Sequence, residues 1–187
     1  MSTLRVQFAG STAILAGTAW IAWAVINIAT HGGLDIGPPA IGARLALVGQ
    51  LLTVAFNLLL IPAALIMWRS LGRAHPYLAA VVSACGVSSL VLWAYGVASQ
   101  GITLHFEVTY LALSGIWWCG IGAMMLPYRR FLGAFTIILG AFALWDSLLT
   151  SLWPVPFALY LTAAPKLPLS MAWDFLIGVS LWRARRG

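Results

Sequence analysis

The sequence predicts an all-α integral membrane bundle: six transmembrane helices joined by short loops, both termini cytoplasmic, in a single polytopic domain over 1–187. Three observations predict it. Hydrophobic residues make up 62% of the chain and charged residues only 7%, against about 25% charged in a soluble domain, so the chain cannot cover its own surface in water. Windows of about 20 apolar residues, long enough to cross a hydrocarbon core of about 30 Å, recur along its length. The basic residues are distributed unevenly about those windows.

Taken in order, the spans are 8–30, 41–67, 77–99, 103–126, 131–153 and 167–183. The run from Phe8 to Thr30 follows MSTLR but is too long for a signal-peptide core and lacks a small-x-small cleavage site, so it is the first span. The breaks HGGLDIGPPA, RSLGRAHP, QGI, PYRR and PVPFALYLTAAPK are rich in glycine, proline or charge and read as loops. Backbone polar groups in lipid must be satisfied within the segment, which makes each span a helix. A faint internal similarity, TAILAGTA (12–19) with TIILGAFA (136–143), relates two helices of the same direction, so it does not fit an inverted transporter repeat.

Arg5, Arg69, Arg73, Arg129, Arg130, Arg183, Arg185 and Arg186 fall on the side of the termini, leaving Arg44 and Lys166 on the other. That asymmetry makes the terminal side cytoplasmic and the protein an integral component of a plasma membrane of the bacterial inner-membrane type. The net charge of +6 does not imply a nucleic-acid partner, because the cations sit at the ends of apolar runs rather than on a basic face. Cys85 and Cys119 form no CxxC pair or disulfide framework. They are expected at similar depth.

Polar residues gather in the outer half. A rise of about 1.5 Å per residue puts Asp146 about 10 Å below the level of Trp153 and Asp174 about 12 Å below Lys166. Glu107 lies at the start of the fourth span, with His105 beside it. Asn27 and His31 close the first span; Arg44 opens the second with Gln50 deeper; Tyr95 and Ser99 close the third. Helical spacing gives shared faces: Trp20, Trp23, Asn27 and His31; Ser88, Tyr95 and Ser99; Glu107, Tyr110, Ser114 and Trp117 or Trp118. Asp146 with Thr150, and Ser170 with Asp174, are i, i+4 pairs. A carboxylate in mid-membrane costs about 2.5–3.5 kcal/mol on insertion scales, so these faces are expected to turn inward around one shared cavity. Arg44 or a histidine is the expected counter-ion.

The candidate acid–base residues are therefore Asp146, Asp174 and Glu107. The candidate ligand-binding residues are Trp20, Trp23, Asn27, His31, Arg44, Gln50, Tyr95, His105, Tyr110, Trp117, Trp145 and Trp173, since an aromatic wall beside carboxylates suits a cationic group. No metal or other cofactor is expected: His31, Asp35, His105 and Glu107 match no ligand spacing, no second histidine pair supports a haem, and no lysine falls within a predicted span to carry retinal. GxSxG, HExxH and P-loop motifs are absent. Three functions fit these residues. One is an isomerase- or cyclase-type enzyme of the membrane interior, working by acid–base chemistry on a lipophilic substrate. Another is a binding or proton-coupled transport protein for a small cation. The third is an accessory subunit, in which the acids join helices within a homo-oligomer or larger membrane assembly.

Overall fold

The computed structural model describes residues 3–31, 43–72, 75–99, 104–152 and 156–183. Among these the chain forms six α-helices and no strand: α1 (Thr3–His31), α2 (Ala43–Leu71), α3 (Pro76–Ala98), α4 (Leu104–Met125), α5 (Arg130–Leu152) and α6 (Pro156–Arg183). Helices α1 to α5 each contain a stretch long and apolar enough to cross a membrane. Local chemistry sets several of the boundaries. Pro76 opens α3, where its missing N–H is no loss, and Glu107 lies in the first turn of α4, where the helix dipole favours a negative charge.

Each helix packs against the next in the chain, and α6 returns onto α1 to close a ring. Neighbours run antiparallel. Trp20 of α1 stacks on Phe56 of α2, Gly86 of α3 faces Trp117 of α4, and Trp182 at the end of α6 donates to Ser11 near the start of α1. Arg5 and Arg69 meet at the lip of one groove, and Arg129, Arg130 and Arg183 at another. These five cations occupy the end of the ring where α1, α3 and α5 begin.

Burial follows helical period rather than polarity. On α5 the inward stripe is Leu132, Gly133, Thr136, Leu139, Gly140, Ala143, Asp146, Ser147 and Thr150. The tightest seam is α4 against α5. There a Cβ added to Gly140 would meet the Cys119 backbone nitrogen at 2.6 Å, and one added to Gly133 would meet the Leu126 nitrogen at 2.7 Å. Backbones approach this closely because the glycine carries no side chain at the point of contact, as small residues allow between helices in lipid.

One predicted boundary is corrected. Helix α6 starts at Pro156, so the segment PVPFALYLTAAPK, expected as a loop up to 166, is helical from Pro156 onward. Proline at a first helical position costs nothing, and a helix keeps its backbone groups paired in apolar surroundings. In consequence Lys166, expected at the rim, lies well inside a helix.

Candidate intramembrane site

Two helices supply the buried aspartates. On α6 the buried residues Ser170, Trp173, Asp174, Ile177 and Gly178 recur at i, i+3, i+4, i+7 and i+8, a single stripe turned to the ring interior. Asp146 lies on the matching stripe of α5. Both carboxylates are 1% exposed. The lengthened α6 brings Lys166 against α5, where its ammonium donates to Asp146 Oδ2. The expected counter-ion was Arg44 or a histidine; the partner is Lys166. The side chains of Arg44, Asn27 and His31 lie outside the described ones.

The second oxygen of Asp146, Oδ1, is buried without a hydrogen-bond partner, as is Oδ2 of Asp174. Glu107, half-buried on α4, lies within electrostatic reach of both Lys166 and Asp146. Tyr110, one turn further along α4, is hydrogen-bonded to Ser114 and feels both Asp174 and Glu107. Thus Glu107 of α4 and Asp146 of α5 share one electrostatic neighbourhood with Lys166, and Asp174 of α6 is linked to it through Tyr110. Among the described residues Lys166–Asp146 is the ion pair present, so the carboxyl groups outnumber the amine.

An aromatic cluster adjoins the acids. Trp173 of α6 meets Trp117 edge-on at 5.5 Å between ring centroids and Trp118 at 6.0 Å. Trp173 Nε1 donates to Thr136 Oγ1 of α5 at 2.8 Å, whereas Trp117 Nε1 and Trp118 Nε1 are buried with no partner. Buried polar atoms are nearly always paired in folded proteins, so a concentration of unpaired donors and acceptors asks for a specific explanation. Trp20 reaches the same stripe from α1, its Nε1 donating to Ser170 Oγ at 3.0 Å. Its ring lies 4.5 Å from that of Trp23.

Other predicted residues stand apart. Tyr95 is 66% exposed and Trp145 is 53% exposed, and Ser88, Ser99 and His105 are exposed as well. The face Ser88–Tyr95–Ser99, expected inward, turns outward. The buried stripe of α3 runs instead through Ala79, Val82, Ser83, Gly86, Leu90 and Val97, because Gly86 and Gly96 accept the rings of Trp117 and Phe106 against the backbone. Gln50 is half-buried on α2. Cys85 and Cys119 are unpaired thiols, and Cys119 Sγ approaches the Ile137 carbonyl at 3.7 Å.

Sequence reasoning passed over three interior groups. Lys166 was assigned to a loop. Thr136, fully buried, accepts the Trp173 indole and donates to Leu132 O at 2.6 Å. Asn57, also fully buried, donates to Thr53 O at 2.7 Å while its Oδ1 has no partner. Its signal was visible: an amide in the middle of LLTVAFNLLLIP is as conspicuous as an aspartate. Among the described residues no three His, Cys, Asp or Glu side chains converge as a metal site.

A helical ring with apolar outer faces and an interior ion pair defines a class, the polytopic integral membrane protein. No protein-family model, curated protein or solved structure matches the chain.

Proposed function

We propose that the six helices form one domain that crosses a plasma membrane six times with cytoplasmic termini, and that its interior holds a small molecule combining a cationic group with an apolar body. The observation that carries this reading is Asp174, buried to 1% exposure with Oδ2 unpartnered. It sits on the helix whose neighbouring residue, Trp173, anchors the three-indole cluster. A buried carboxylate oxygen lacking a partner is placed to attract an ammonium in low dielectric, and indole faces add cation–π attraction worth about 2 kcal/mol when desolvated. Intramembrane carboxylates characteristically mark ligand or proton pathways. The test is thermal stabilisation of the full chain in lipid nanodiscs by a panel of amphiphilic amines. Wild type should be stabilised and Asp174→Asn should not. Stabilisation that survives in Asp174→Asn, or is absent across the panel in wild type, sinks the assignment.

A second reading, acid–base catalysis on such a molecule, draws support from the adjoining Glu107, Lys166 and Asp146. Three proton-carrying groups within reach of one another can supply both an acid and a base. Conversion of a bound molecule to an isomer resolved by chromatography or NMR, which Asp146→Asn prevents, is the expected signature. A molecule recovered unaltered from wild type leaves binding as the function.

A further inference from the structure

At the arginine end of the ring a groove of about 370 Å³ opens on the seam between α5 and α6. Arg129, Arg130 and Arg183 rim it, and Phe131, Leu176 and Val179 line its walls. Arg129 donates to the Ser180 hydroxyl of α6, which holds one guanidinium across the seam. No carboxylate pairs with this charge among the described residues: Glu107 and Asp146 lie toward the opposite end, Asp174 is nine residues from Arg183 along α6, and the ion pair present is Lys166–Asp146. Asp35 lies outside the described residues.

We infer that the α5–α6 groove binds the headgroup of an anionic phospholipid, with an acyl chain lying along Phe131, Leu176 and Val179. Each half of the groove asks for one part of that molecule. The guanidinium fork matches phosphate oxygens two at a time, which an ammonium does not. The apolar walls run outward into exposed surface, where Phe131 is 75% exposed. A free anion would gain nothing from them, whereas a lipid buries its chain there while its phosphate stays level with the helix ends. Basic pockets between helices at a membrane surface recognise lipid headgroups in this way. The groove between α1 and α2 supplies an internal comparison. It is of similar size, about 360 Å³, with Arg5 and Arg69 at its lip.

The experiment is native mass spectrometry of the full chain in detergent, titrated with phosphatidylglycerol and with phosphatidylcholine. Wild type should retain phosphatidylglycerol selectively. With each arginine near a membrane surface contributing comparably, Arg130→Gln/Arg183→Gln should weaken retention about thirtyfold. Arg5→Gln/Arg69→Gln should leave most of it. Val179→Trp, which fills the groove without altering charge, should also reduce retention and serves if the arginine variant does not fold. Equal retention of the two lipids, full retention in Val179→Trp, or displacement of the lipid by millimolar inorganic phosphate overturns the proposal.

Discussion

Helix α5 packs through two seams of opposite construction. Toward α4 it presents Gly133 and Gly140, and the backbones close to within a Cβ of contact. Toward α6 it presents Thr136 and Asp146, and the joint is made by a threonine–indole hydrogen bond and a buried ion pair. Lipid offers no hydrophobic reward for bringing helices together, so van der Waals closeness and interhelical hydrogen bonds are the available means. Helix α5 relies mainly on the first toward α4, where Ser147 adds one bond to Val108 O at 2.9 Å, and on the second toward α6. The glycine seam sets geometry and leaves no room for chemistry. The polar seam is looser, and it carries the Lys166–Asp146 pair toward one end, Asp174 near its middle and the arginine groove at the other end. Function, on this view, belongs to the seam that packing did not close.

That contrast can be broken from either side. The largest effect is expected from Lys166→Met, which strands the Asp146 carboxylate in the interior. Loss of one partner of a buried pair costs about 3–5 kcal/mol, to be read from unfolding of the purified protein. Asp146→Leu/Lys166→Met should recover most of that loss, because an apolar pair removes the unpaired charge. A double variant as unstable as the single one would mean that the pair is held by more than its own charges.

On the glycine seam, Gly140→Ala places a methyl against the Cys119 backbone and is expected to cost about 1–3 kcal/mol through forced separation of α4 and α5. No loss at all would show that this seam yields easily and that the contrast is overdrawn. A comparable effect, about 1–3 kcal/mol, is expected from Trp173→Phe, which removes the hydrogen bond to Thr136 and leaves a void where the larger indole was buried. Tyr95→Leu should change stability by less than about 0.5 kcal/mol and leave amine binding untouched, since that side chain faces outward. Loss of binding in this variant would restore Tyr95 to the site.

The outward turn of Tyr95 shows why helix faces were harder to read than helix existence. In a span that is apolar on every side, polarity does not identify the inner face. Small residues do: Gly86 and Gly96 mark the side of α3 that meets α4. The aspartates were legible because a charge in lipid has few acceptable orientations. Lys166 was not, because prolines and a cation in PVPFALYLTAAPK resemble a loop until the neighbouring helix supplies a partner.

Composition and window length alone determined a helical membrane protein, since a chain this apolar has no other way to satisfy its backbone. Only the tertiary structure decided which faces turn inward, that Lys166 answers Asp146, and that Asp174 has an oxygen to spare. Pairing depends on which helix comes to lie beside which, and distances between residues far apart in the chain are set by packing.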